Sequence, residues 1–364
     1  LARESTREPR AMLRGRMEAL GPIAHDDPRV DAFAVLGKSA TTHDREALFA
    51  ELEREGCVMR TLVGGRSTWC DRRLLARIRG RTLERLRRAI APVSTAEWLH
   101  FLARWQHLDL ETRVEGPGGV LALVRQLAGV EAHAAAWEKR LFAPRVREYR
   151  PEWLDELCLT GRVAWGRLWS SGKTAPRATP IALVPREELD TWLALAPPAD
   201  VSALSWPARA VLDVLQARGA LFQDDLARAS KLLPSDVERG LIELVGLGAI
   251  TNDSFASLRA LLKPSDQRRI PLVGGGRWSL LRATESRSVH DAHGDALFGA
   301  RVLLRRYGVV FRTAVADERW PLPWRDLVRV LRELELAGDV RGGRFVAGHS
   351  GEQYALPEAI PLLR

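Results

Sequence analysis

Lysine is nearly missing from this sequence: the 55 basic residues comprise five lysines and fifty arginines. Cysteine is as scarce, with Cys57, Cys70 and Cys158 odd in number, far apart and forming no C-x-x-C pair. That excludes a disulfide framework and argues against a cysteine-based zinc site, and it fits a reducing, cytoplasmic setting. No apolar run approaches the ~18 residues of a membrane span and no signal peptide is visible, so a membrane partner is not expected. A complete phosphate-binding loop is also missing. Gly37-Lys38-Ser39 would need a glycine at position 32, which is Ala32; Gly172-Lys173-Thr174 would need one at Arg167. Without the G-x-x-x-x-G-K-[ST] cradle no ATP site is expected in the chain. The sequence starts at Leu1 rather than a methionine, so a piece of a longer protein is expected.

The 364 residues are 46% hydrophobic, enough to build ordinary cores over two or more domains. The formal net charge of +9 is the footprint of a protein that meets phosphate backbones. A GC-rich coding sequence would also favour arginine over lysine.

A short pattern, apolar-x-x-Leu-x-x-x-Gly-x-aliphatic, recurs four times. Its copies are Phe49/Leu52/Gly56/Val58, Leu154/Leu157/Gly161/Val163, Leu241/Leu244/Gly248/Ile250 and Leu331/Leu334/Gly338/Val340. Two apolar residues three apart mark the buried face of a helix, the glycine takes the left-handed conformation that ends it, and the aliphatic residue opens a strand. With a second strand after a turn, each copy predicts a winged helix, a helix-turn-helix with an appended hairpin. The irregular spacing of the glycines argues against a solenoid. The expected fold is mainly α with small β-hairpins (α+β): tandem winged-helix modules joined by helical connectors. The expected boundaries are winged helix 1 at 1–70, a helical connector at 71–115, winged helix 2 with a long wing at 116–200, winged helix 3 at 201–285 and winged helix 4 at 286–364. Gly64-Gly65 reads as the wing turn of module one, and Ser205-x-Pro207 as a helix start.

Three stretches are candidates for nucleic-acid contact. In 70–88, Arg73, Arg77, Arg81 and Arg85 recur every four residues while Leu75, Ile78, Leu86 and Ile90 occupy another face; one side would pack and the other neutralise phosphates. In 301–312, Arg305 and Arg306 stand beside Tyr307, which core packing explains as well as base stacking does. In the hairpin of module four, Arg341, Arg344 and His349 are placed to meet a backbone or groove. Tryptophan is over-used at 12 residues. Trp98, Trp105, Trp153, Trp192 and Trp324 fit helical cores, whereas Trp169 and Trp320 fall in loops and could stack on a base. His290, Asp291, His293 and Asp295 read as a polar loop rather than a metal site. No catalytic residue and no metal ligand is nominated.

The stretches WCDRRLLARI (69–78), FLARWQ (101–106), YRPEWLDELCLTGRVAWGRL (149–168), RRYGVVFR (305–312) and RGGRFVAGHSGEQYALPEA (341–359) resemble the C-terminal region of bacterial large helicase-related (Lhr) proteins, superfamily-two DNA helicases. The resemblance implies a parent enzyme that hydrolyses ATP with Mg, moves 3′–5′ on single-stranded DNA and acts in DNA repair, with its motor upstream. It implies that this region binds DNA and drives self-association, with a homotetramer as the form. It also raises an alternative, a DNA (uracil) glycosylase of the AlkZ-like tandem winged-helix type, which extrudes a base and positions water with a Gln-aliphatic-Gln/Asp motif. No glutamine of this chain begins that motif, so no catalytic residue is carried over. A multi-winged-helix transcriptional regulator is the second alternative.

Overall fold

The helices ending at Arg54, Leu159, Leu247 and Ala337 all stop one or two residues before the glycine of the repeat. Gly56, Gly161, Gly248 and Gly338 have φ of 72°, 69°, 71° and 93°. In every copy the residue after the glycine donates its N–H to the carbonyl of the repeat's leucine: Cys57 to Leu52, Arg162 to Leu157, Ala249 to Leu244 and Asp339 to Leu334, at 2.9–3.0 Å. This is the Schellman closure, which satisfies carbonyls that a helix end leaves orphaned. Val58, Val163, Ile250 and Val340 are buried one residue further on.

The computed structural model describes residues 7–24, 26–30, 42–88, 90–169, 179–262, 275–282, 291–319 and 322–364, in two units, Leu1–Ile90 and Ala91–Arg364. The stretch carrying Gly37-Lys38-Ser39, most of the module-two wing with Gly172-Lys173, and His290 and Trp320 lie outside the described residues. Unit one contains α1 (Arg7–Leu20), α2 (Thr42–Arg54), the hairpin β1 (Val58–Val63) and β2 (Arg66–Asp71), and α3 (Arg72–Arg88). Leu13, Met17, Phe49, Leu52, Val58 and Trp69 form its core, with Phe49 stacked on Trp69 at 5.2 Å.

Unit two opens with α4 (Thr95–Trp105), started by a capping box in which Ser94 and Glu97 exchange hydrogen bonds. Module two follows with β3 (Val114–Glu115), α5 (Gly116–Gln126), β4 (Glu131–His133), α6 (Ala134–Ala136), a π-helical turn (Trp137–Phe142), β5 (Val146–Arg147), α7 (Pro151–Leu159), β6 (Val163–Gly166), β7 (Pro180–Pro185) and α8 (Leu189–Leu195). Its three-stranded sheet has the order β4-β7-β6. Module three comprises α9 (Trp206–Arg218), α10 (Gln223–Ser230), α11 (Pro234–Leu247), β8 (Ile250–Asn252), α12 (Phe255–Leu262) and β9 (Trp278–Leu280), with Ser205 capping α9 ahead of Pro207. Module four has α13 (Ala292–Tyr307), β10 (Val309–Phe311), α14 (Trp324–Ala337), β11 (Arg341–Gly343), β12 (Gln353–Ala355) and α15 (Ala359–Leu363), with sheet order β10-β12-β11. Asp291, read from sequence as part of a loop, caps α13 by accepting the His293 N–H.

The expected connector at 71–115 is two different things: α3 belongs to unit one and α4 to unit two. The latter packs on module four, with Trp98 5.1 Å from Phe311 and Val93 bridged to Val346. Nor are modules two and three separate beads. They share one core, in which Trp165 meets Trp278 edge-on at 6.1 Å and the Thr251 hydroxyl donates to the Trp165 carbonyl at 2.6 Å. Burying such side chains contributes roughly 1.5–3 kcal/mol each, so separating the modules would forfeit several of these terms. Among the described residues no helix is long and apolar enough to cross a membrane.

Candidate nucleic-acid interface

In unit one, α3 starts with a cap: Asp71 accepts the Leu74 N–H at 2.9 Å. Leu75 is buried, and the helix turns its other side outward. Arg73, Arg77, Arg81 and Arg85 are all exposed, and among the described residues none has an ionic partner. Four residues of α-helix advance about 6 Å, so the stripe is a row of evenly spaced cations. The apolar face is less complete than its spacing suggests, because Ile78 is exposed. The side chain of Leu86 lies outside the described set.

In unit two, α14 and the wing of module four form a second basic surface. Arg341 lies on the outer strand of its sheet and Arg344 follows it into the wing; both are exposed and without an ionic partner among the described residues. Arg332 of α14 grips Glu352 with Nε and Nη2 at 3.0–3.2 Å, and this bidentate pair raises the Arg332 pKa. The pair ties the helix to the wing. Arg325 and Arg329, seven and three residues earlier, share its helix face and are exposed. The sequence reading missed both; the signal was the i, i+4, i+7 spacing of Arg325, Arg329 and Arg332 in a helix whose Leu327, Val330, Leu331 and Leu334 are buried.

The remaining candidates are spent inside the protein. Arg306 is only 2% exposed, and its guanidinium donates to the Glu318 carboxylate and the Ala128 carbonyl. Buried between module two and module four, its guanidinium is out of reach of a phosphate, which corrects its assignment as a nucleic-acid contact. Arg305 is half-buried and donates Nη1 and Nη2 to Glu188, each at 3.0 Å. Its carbonyl accepts the Trp105 indole N–H and that of Arg306 accepts the Gln106 amide, both at 3.1 Å. This arginine pair staples α4, module two and module four together. Tyr307 packs with them and donates to Glu318 at 2.8 Å; burial and that neighbouring carboxylate push its hydroxyl up to about 12. His349 is engaged too, with Nδ1 2.8 Å from the Thr313 hydroxyl and its ring 4.6 Å from Phe311. Trp169 is locked by its indole N–H to the Gly129 carbonyl at 3.0 Å and sits edge-on to Trp192, which removes it as a base-stacking platform. Among the described residues no group of three or more His, Cys, Asp or Glu could hold a metal ion.

Comparison with known proteins agrees with this architecture. Two family models, each described as a winged-helix domain of large helicase-related protein, match residues 93–186 and 289–364. The chain is 32% identical over 332 residues to a Mycolicibacterium smegmatis protein named Lhr helicase/probable uracil glycosylase, covering 81% of this chain and 21% of that one. It is 28% identical over 364 residues to the Lhr helicase/uracil glycosylase of Escherichia coli (strain K12), covering 88% and 23%. The chain therefore carries winged-helix domains of the large helicase-related family and resembles Lhr helicases, spanning about a fifth of the length of the two relatives it matches.

Proposed function

We propose that this chain is the nucleic-acid-binding and self-assembling region of an ATP-dependent 3′–5′ DNA helicase that acts in DNA repair in the cytoplasm. ATP and Mg are handled by a motor in another part of a longer protein. The observation that carries the reading is the set of exposed arginines without ionic partners among the described residues: Arg73, Arg77, Arg81 and Arg85 on α3, and Arg329, Arg341 and Arg344 on module four, with Arg325 beside them paired only to its neighbour Asp326 at 3.8 Å. Guanidinium groups held in rows on a winged-helix scaffold fit a polyphosphate backbone, and such contacts position a strand without reading its sequence. Single-stranded DNA is the proposed ligand and a homotetramer the proposed form. Light scattering tests both, with and without a short single-stranded oligonucleotide. A tetramer whose mass rises only by the bound DNA is expected; a monomer that ignores the oligonucleotide would sink the reading.

A second reading rests on the names of the two relatives, which both include uracil glycosylase. In it, this chain contributes the DNA-gripping modules to base excision. Abasic sites formed on uracil-containing DNA by this chain alone would establish it; intact DNA after alkali treatment would count against excision by these residues.

A further inference from the structure

The hairpin of module one ends in an apolar tip that no described residue of its unit covers. Gly64 and Gly65, with φ of 58° and 78°, make the two-residue turn suited to a tight hairpin. Just before them Leu62 is 74% exposed and Val63 51%. The inner half of the same hairpin is buried, with Val58, Trp69 and Cys70 in the core. A scattered exposed leucine is ordinary; two adjacent aliphatic residues at the end of a two-stranded ribbon, whose side chains leave opposite faces of it, make the tip apolar on both sides.

The surroundings of that tip select its partner. Arg66 pairs directly across from Val63, and Arg60 lies two residues inward on the Leu62 side of the ribbon. The Arg60 guanidinium is seated over the Trp69 ring, 4.6 Å from its centre. The hairpin's one carboxylate, Asp71, is occupied at the start of α3. An apolar tip flanked by cations, in a unit that also presents the α3 arginines, complements a polyanion with an apolar interior. The tip is aliphatic, not aromatic, and this separates two kinds of nucleic acid. Single strands are held by stacking bases on aromatic faces, whereas aliphatic side chains act as wedges between the base pairs of a duplex.

We infer that the wing of module one is a wedge for double-stranded DNA: Leu62, the more exposed of the two, enters a base step from the minor groove, Val63 on the opposite face lies against the groove wall, and Arg60 and Arg66 take the flanking phosphates. The inference rests on the nucleic-acid-binding reading above and adds the duplex, the groove and the residues. It places a duplex-gripping element in a protein otherwise proposed to hold a single strand, as a junction between the two would require.

The test is energy transfer between dyes at the two ends of a duplex of about 25 base pairs, with the full chain added. The chain is expected to shorten the end-to-end distance through a kink of about 20–90°. Leu62→Ser with Val63→Ser is expected to bind with the same salt slope and a Kd within about tenfold of the parent, yet leave the duplex straight. Leu62→Ile is expected to keep the kink. A kink retained by the double serine variant, or a bound duplex never kinked by the parent, would overturn the wedge. So would binding of single strands but not duplex, which leaves the broader reading standing; binding to neither would remove both. A changed solution mass for the serine variant without DNA would assign the tip to contact between copies of the chain, and the wedge would fall.

Discussion

The arginines of this protein divide into two populations. Arg145, Arg282 and Arg306 point inward and each reaches main-chain carbonyls: Arg145 those of Gln106 and Leu141 at 2.9 and 3.1 Å, and Arg282 those of Leu193 and Pro197 at 2.6 and 2.7 Å. A planar guanidinium offers five donors spread over three nitrogens and reaches separated acceptors, where a lysine ammonium offers three from a single nitrogen, so these buried positions favour arginine. Burial lowers the pKa of Arg145 and Arg282. The outward set of Arg73, Arg77, Arg81, Arg85, Arg329, Arg341 and Arg344 has no such partners among the described residues. Arg306→Ala is therefore expected to cost about 3–5 kcal/mol by stranding Glu318, measured as a fall in the urea midpoint. Arg341→Ala with Arg344→Ala should stay within about 0.5 kcal/mol of the parent for each change. An equal effect of the two would contradict the division. Thiols give a second check at this scale. Burial pushes the Cys70 and Cys158 thiols up, and both are buried while Cys57 is half-exposed. One fast-reacting thiol is expected with a disulfide reagent on the native chain, and three after denaturation; two fast thiols in the folded state would be wrong for this structure.

Among elements, the helix–glycine–strand unit was legible in the sequence because everything that makes it lies within ten consecutive residues. The apolar pair, the left-handed glycine and the strand opener need no distant partner. The uses of Arg305, Arg306 and Trp169 were not legible, because their acceptors, Glu188, Ala128 and Gly129, lie 117, 178 and 40 residues away in sequence. Local spacing showed a basic pair beside an aromatic, and tertiary packing decided what it meets. The four glycines also differ in a way no local pattern reveals. A Cβ at Gly161 would meet open space, while one at Gly248 would come 2.5 Å from the Arg167 carbonyl oxygen. Gly161→Ala should cost only the left-handed conformation, about 1–2 kcal/mol. Gly248→Ala should cost clearly more, because main chain of module two must move. Equal thermal shifts for the two would contradict the close approach of modules two and three.

For the whole molecule, the sequence spacing suggested four modules on connectors, whereas the contacts group residues 91–364 into one unit with a core common to modules two and three. A chain of 91–364 alone is expected to unfold in a single cooperative urea transition followed by tryptophan emission. A chain cut at residue 204 would leave Trp165 without Trp278 and is expected to lose its tertiary signal; independent folding of the two pieces would restore the beads-on-connectors picture.

The central claim is that arginines left unpaired by the fold neutralise DNA phosphates, and the salt dependence of affinity measures it most directly. Fluorescence anisotropy of a labelled single-stranded oligonucleotide, titrated over a range of KCl, gives the slope of log K against log salt. Each phosphate contact contributes about 0.7 to that slope. Changing Arg73, Arg77, Arg81 and Arg85 together to alanine is predicted to lower its magnitude by about 2.8, four contacts at 0.7 each. A slope that does not change on removal of all four charges would contradict the account, and the α3 stripe would be a solvated face rather than a nucleic-acid interface.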